Sequence, residues 1–511
     1  MCIQLRLLLG IILLFVSLTA MAGKADDSTF NEIQLQLGNL LIAEERFNEA
    51  IEAFTLAKRG TATVNQLFQA RQGAVMSMLR LARFGEAHDE ALLAYSAAPD
   101  NSAAVALYGD ALWARGLFDE AEEAYQAALV LDPGEGRGHH GLAKSLATRG
   151  RLPEAMDAAQ AALRYLPRDP ELHHTVGTIY ERMQRFEESA IAFGNYVNLL
   201  PAKHRSARAA WSRSQIRFLR SFGNRTPFAM VSGSSNQLHT VPFKLVREKI
   251  VVRAKVNGGR EIDFVVDTGA EQTVLSQEVA RRQRVQPVVY TLSAGVGEVG
   301  FRGLQLARID SLQIGSLVIE NVPTLIKNPP LGGMPTRETE SFSPLAAGLS
   351  IRIDYDRRRL TLGRHLDASH ADFELPLRVH RLATVRGRIN DERDASFVVD
   401  TGGEVISLSV AAASTIETQP MTRSFPLKVY GSSGWDPEAF LLPGVNLMFD
   451  SISFNNYPVV VLDLHSPSAL LGFELGGIIG HDFLKRYLVD FDLDKSVIRL
   501  AHRSSAAVLS D

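Results

Sequence analysis

Two stretches of this 511-residue chain spell nearly the same phrase, FVVDTGAEQTVLS at 264–276 and FVVDTGGEVISLS at 397–409. The offset between them is 133 residues. In each copy an apolar strand runs straight into Asp-Thr-Gly, at Asp267 and Asp400. A buried acid at the end of a hydrophobic strand is unfavourable unless it is paired or used. Two carboxylates that meet cannot both ionise at ordinary pH, so they share one proton and titrate as a unit. One of them then takes a proton from a water molecule while its protonated neighbour polarises a carbonyl. Such a pair hydrolyses an amide with no metal, cofactor, cysteine or serine nucleophile.

The elements that must position these acids read as strands. KVNGGREIDFVVDTG at 255–269 lines up with RINDERDASFVVDTG at 388–402, and IRIDYDRRRLTL at 351–362 with LVDFDLDKSVIRL at 488–500. Alternating apolar segments separated by turn residues give mostly β lobes built from hairpins, at 245–365 and 372–503. Like lobes pair most economically about a pseudo-twofold axis, as in a symmetric dimer fused into one chain. Lobes acting across two chains are the alternative.

The doubled phrase, with GGIIGHDFLKRYLVDFD at 476–492 behind it, resembles the catalytic strand–loop and rear packing segment of retropepsin-like aspartic proteases. The resemblance covers about 245–500. It implies that Asp267 and Asp400 form the dyad, that Thr268 and Thr401 cross-brace the two loops, and that Gly269 and Gly402 allow tight turns and close approach. Ala270 and Gly403 are the small residues beside the acids. A cleft of this kind needs a cover, read at 290–301 in lobe one and 427–440 in lobe two. Tyr290, Gly295, Gly297, Tyr430, Gly431 and Trp435 are the flap or substrate-contact residues this implies, with exposed hairpin tips as the plainer reading of the aromatic ones. One departure stands out: lobe one has PLAAGLSIRIDYD at 344–356 where lobe two has IIGHDFLKRYLVDFD. With Gly348 matched to Gly480, lobe one reads as having lost a short helix. The expected activity is that of an aspartic-type endopeptidase acting on a protein or peptide, with no cofactor and no metal. A noncatalytic peptide-binding adaptor or pseudoprotease on the same fold is the alternative.

Ahead of the lobes, Pro99, Pro133, Pro167 and Pro201 recur every 34 residues, with Ala87, Ala121, Ala155 and Ser189 twelve residues before each. Small residues let antiparallel helices approach, and each proline ends a second helix. This resembles the tetratricopeptide repeat over roughly 31–202, closed by a helix at 204–223, so that the array spans 31–223. Such arrays bind peptides or partner proteins on a concave face; a scaffold that only positions the lobes is the alternative. His139-His140 and His173-His174 are neighbours whose side chains diverge on a helix, so they do not read as metal ligands. The stretch 224–244 reads as a turn-rich linker. The expected fold is thus a multidomain one, an α-helical repeat solenoid followed by a mostly β bilobal domain.

A net charge of about −3 gives the chain no electrostatic reason to seek nucleic acid. MCIQLR, an apolar core LLLGIILLFVSL and Ala20-Met21-Ala22 follow the order of a secretory signal at 1–22, which predicts export to a periplasmic or extracellular setting, most simply a bacterial envelope. An uncleaved segment there is the one expected route to a membrane. The single cysteine, Cys2, lies inside that stretch, so no disulfide framework is expected.

Overall fold

The computed structural model describes residues 27–60, 62–231, 237–294, 301–327, 340–414, 416, 425–431 and 434–503. The signal-like stretch 1–22, and Gly295 and Gly297 of the lobe-one cover, lie outside the described residues.

The N-terminal half is helical. Its helices are α1 (Asp27–Ala43), α2 (Phe47–Ala57), α3 (Val64–Arg80), α4 (Phe84–Ala97), α5 (Ser102–Ala114), α6 (Phe118–Leu131), α7 (Gly136–Thr148), α8 (Leu152–Tyr165), α9 (Pro170–Arg182), α10 (Phe186–Leu199) and α11 (Ala207–Arg220). Small residues and large rings are complementary here. A Cβ on Gly38 or Gly73 would fall 2.5 or 2.3 Å from the Phe54 ring, and one on Gly109 or Gly141 2.8 or 2.2 Å from Tyr125. Each ring therefore fills the gap its glycines leave between helices. The histidine pairs serve the same packing: His139 and His173 donate from Nε2 to the carbonyls of Pro133 and Pro167, at 2.9 and 3.0 Å.

The array returns on itself. Ser206, the N-cap of α11, donates to Glu45 just beyond α1 at 2.8 Å, and Arg208 pairs with Glu45 and with Glu171 of α9. Arg80 at the end of α3 also pairs with Glu171. The inner face of the solenoid therefore surrounds a space rather than lining an open groove.

The C-terminal half is β, in two like lobes. In lobe one the strand Ile262–Val266 runs parallel to Glu340–Phe342, which is antiparallel to Thr273–Leu275. Lobe two repeats the pattern with Arg393–Val399, Gly477–Ile479 and Ser407–Ser409. The lobes share a six-stranded sheet in which Ser350–Asp354 of one pairs antiparallel with Tyr487–Asp492 of the other. Across that seam Arg352 makes two 2.7 Å bonds to Asp490, which also accepts from Ser369. Bidentate geometry satisfies most of the buried acid. The expected linker is not merely a tether: Ala229–Met230 pairs with Leu317–Ile326, and His239–Pro242 forms an edge of the shared sheet.

Array and lobes are packed together. Trp113 and Phe118 share an apolar cluster with Leu471, Phe473 and Leu475, with Phe118 edge-on to Phe473 at 5.0 Å. Backbone seams run alongside: the Glu474 N–H donates to the Ala114 carbonyl at 2.8 Å and Ser396 Oγ to the Gly116 carbonyl at 2.6 Å. Arg378, buried in lobe two, pairs with Asp119 and Glu122 of α6.

Candidate active site

Both acids stand where a strand ends and its loop begins. The backbone N–H of Asp267 donates to the Phe342 carbonyl and that of Asp400 to the Ile479 carbonyl, each at 2.9 Å. The strand of each rear segment thus fixes the height of its acid. The threonines then lock the loops together. Thr268 Oγ1 donates to the Val399 carbonyl and Thr401 Oγ1 to the Val266 carbonyl, both at 2.7 Å. Each hydroxyl also accepts the other threonine's N–H, at 3.1 and 3.0 Å. Four crossed bonds, buried from water, hold the two loops in one register.

That register brings the carboxyl groups together. A Cβ on Gly269 would lie 2.3 Å from Asp400 Cγ, and one on Gly402 3.1 Å from Asp267 Cγ. The glycines leave the space that each partner acid occupies. Gly402 N–H donates to Asp400 Oδ1 at 2.7 Å. Burial holds Asp267 well above the usual carboxylate range, at about 7; the charge of Asp400 and a hydrogen bond to it push the same way, while Lys249 and Lys327 oppose the rise. The dyad therefore retains one proton at mildly acidic pH.

The rear segments differ from the expected alignment. The pairs Val266–Phe342 and Val399–Ile479 are equivalent, so the counterpart of Gly480 is Ser343, and Gly348 belongs to the turn that follows. With that register no residues have been lost: eleven positions separate Ser343 from Asp354 and ten separate Gly480 from Asp490. The short helix of lobe two, α15 (His481–Leu484), is replaced in lobe one by turns over 344–348. (Between them in chain order lie three others, α12 at Gln277–Arg282, α13 at Val410–Ala413 and α14 at His465–Leu471.) The two lobes also satisfy the same loop carbonyl differently. In lobe two the His481 N–H donates to the Gly403 carbonyl at 2.9 Å; in lobe one Ser343 Oγ donates to the Ala270 carbonyl at 2.6 Å.

Sequence reasoning missed a further tie. Arg381, at a turn of lobe two, donates through Nε and Nη2 to Glu271 at 2.9 and 2.6 Å, and through Nη1 to the Leu470 carbonyl. Glu271 lies four residues beyond Asp267, so this ion pair braces the first acid's loop from the opposite lobe.

The dyad opens into a chamber of about 2140 Å³ that the two lobes share with the inner face of the array. Small-molecule pockets run to about 1,000 Å³ at most, so this space suits a stretch of peptide. The lobe-one cover is a hairpin of Pro287–Ala294 and Phe301–Ile314. Its Val289 and Leu306 are buried against Phe186 of α10 and Phe218 and Phe222 at the end of the array. Tyr290 of that hairpin is 69% exposed and is not among the residues that line the chamber. Trp435 is also outside the wall, paired through its backbone with Tyr430, whereas Gly431 lines it. Leu304 and Leu306 face the chamber from the lobe-one hairpin instead.

A helical repeat array thus packs against two β lobes whose Asp-Thr-Gly loops interlock. The family comparisons agree part by part. Residues 252–334 match the gag-polyprotein aspartyl protease model and 385–483 a second aspartyl protease model, while 74–136 and 113–179 match two tetratricopeptide repeat models. No curated protein matches the chain. Among solved structures, a thermophilic TPR protein of Thermus thermophilus is similar to the array at 18% identity, covering 36% of this chain and 98% of its own, with a TM-score of 0.31. YrrB, a TPR protein with an unusual peptide-binding site, is 18% identical over 35% of this chain and 90% of its own, with a TM-score of 0.22. MamA of strain MSR-1 is 18% identical over 33% of this chain and 95% of its own, with a TM-score of 0.23.

Proposed function

We propose that the chain is an exported aspartic endopeptidase that cuts an extended peptide held between the repeat array and the two lobes. The observation that carries this reading is the crossed threonine lock, which sets Asp267 against Asp400 on the floor of the chamber. Asp267, which burial holds protonated, donates a hydrogen bond to the scissile carbonyl and passes its proton to that oxygen as the water attacks. Asp400 takes a proton from a water whose oxygen attacks the carbonyl carbon. The resulting tetrahedral diol collapses as Asp400 passes its proton to the amide nitrogen. The C–N bond breaks, and a diol hydroxyl returns a proton to the dyad. No acyl-enzyme forms and the dyad ends as it began.

The array gives this chemistry its substrate. Because the inner face of the solenoid surrounds the chamber, a folded protein surface is kept from the dyad and an unfolded segment is admitted. The wild-type chain should cleave a reduced, denatured protein and spare the same protein in its folded state. Asp267→Asn and Asp400→Asn should each abolish cleavage while leaving the far-ultraviolet spectrum unchanged; cleavage that survives either change would sink the reading. Export is the part that rests on the first 22 residues. Terminal sequencing of the mature protein should begin at Gly23, and retention of Met1 would overturn it.

A further inference from the structure

The inner wall of the array carries five cations that line the chamber among the described residues: Arg80, Arg137, Lys144, Arg182 and Arg208. Four of them have a carboxylate partner. Arg80 and Arg208 pair with Glu171, and Arg137 and Lys144 with Asp110. Arg182, the last residue of α9, is different. Its Nη1 donates to the Ala147 carbonyl and to the Val379 carbonyl, the latter at 3.1 Å. No carboxylate pairs with it among the described residues, and burial alone lowers its pKa, to about 10, so it stays charged at neutral pH. A secluded guanidinium without a counter-ion is unfavourable unless something else meets it.

The surroundings of Arg182 suit an anion. Glu181 is next to it in the chain but is turned elsewhere, bonded to Gln215 of α11 at 2.8 Å. His380, one residue past Val379, stacks edge-on to Trp113, and burial together with the nearby Arg381, Arg182 and Lys144 keeps its ring neutral. Lys144 lies 5.0 Å over the same Trp113 ring and shares Asp110 with Arg137. Arg182 has two of its five N–H groups committed to carbonyls, which leaves one edge of its fork for a planar acceptor.

We propose that Arg182 is a carboxylate subsite of the chamber, receiving an acidic side chain or the C-terminal carboxylate of the bound peptide. The subsite rests on the proteolytic reading for its consequence, since its position sets where the bond is cut. Val379, which holds Arg182, is two residues from Arg381; Arg381 pairs with Glu271, four residues past Asp267. Arg182, Asp267 and Asp400 line the same chamber, so one bound peptide can meet all three.

The test uses the full chain and three sets of synthetic peptides with one cleavable core: free C-terminus with an acidic residue, the same with Glu→Gln and Asp→Asn, and the same with an amidated C-terminus. The wild type should cleave either the neutral-side-chain set or the amidated set about tenfold or more less well than the first set in kcat/KM, mostly through KM. The set that loses the preference identifies the source, side chain or terminus. Arg182→Gln should erase the preference, and Arg182→Lys, which keeps the charge, should restore part of it. Equal cleavage of all sets by the wild type, or an undiminished preference in Arg182→Gln, would overturn the subsite. Anisotropy of labelled peptides on Asp267→Asn separates the two readings. Preferential binding there, with no cleavage by the wild type, keeps the subsite and removes the protease; cleavage without preference does the reverse.

Discussion

At the residue scale the shared proton governs both activity and stability. Asp267 titrates near 7 in the folded chain and near 4 in an unfolded one. Between those values the folded state holds a proton that the unfolded state has released, so this group's contribution to stability is full below about pH 4 and is lost as pH rises towards 7. Cleavage should accordingly fall as pH rises through about 7, when the dyad loses the proton that polarises the carbonyl. Asp267→Asn removes the penalty along with the activity. Since the carboxyl faces the chamber, water offsets part of the effect, and a gain of about 1–3 kcal/mol at pH 8 is expected. At pH 4 the gain should vanish. Thermal melts of wild type and variant at the two pH values measure the difference, and an equal shift at both would show that the charge of Asp267 carries no such penalty.

At the scale of elements, the two rear segments do one job with different residues. Ser343 supplies a side-chain donor to the Ala270 carbonyl, where lobe two uses the backbone after Gly480. Ser343→Ala leaves that carbonyl unsatisfied and should cost about 1–3 kcal/mol and lower kcat. Gly480→Ala fails for another reason: its Cβ would sit 2.6 Å from the Val405 carbonyl oxygen and 2.7 Å from the Val405 nitrogen, backbone atoms that cannot rotate away. It should lower the melting temperature more than Ser343→Ala does, and the reverse order in calorimetry would refute the assignment. This pair also marks how far sequence carries. The doubled Asp-Thr-Gly was legible because strand, turn and offset all repeat locally. The register of the rear segment was not, because it is set by Val266 pairing with Phe342 across a gap of 76 residues, while the glycine of Ala346-Ala347-Gly348 offers a false match. Arg381 was hidden for a related reason: its counterpart in the internal repeat is Glu248, which pairs with Lys485, so duplication gave no hint of a brace to Glu271.

At the scale of the molecule, the array and the lobes form one mechanical unit. Multidomain chains usually melt in steps because their interfaces are small and polar. Here the seam combines the Trp113–Phe118–Phe473 cluster, all buried, with the Arg378 pairs to Asp119 and Glu122 and a second dock where Val289 and Leu306 meet Phe218 and Phe222. The helical repeats were readable from their period, yet nothing in a period of 34 specifies that the solenoid closes on Glu45 or that its inner face covers the dyad, since both depend on contacts between residues more than a hundred positions apart. If the seam is as continuous as these contacts indicate, helical and β signals should be lost together on heating. Phe118→Ala removes a ring shared by both halves, a truncation of about 3–5 kcal/mol. Far-ultraviolet ellipticity reports the helices, and the β component of the amide I infrared band reports the lobes. Phe118→Ala should move both melting curves down by the same amount. A shift confined to the helical curve would mean that the array unfolds independently, and that substrate could reach the dyad by the array swinging aside rather than by threading into the chamber.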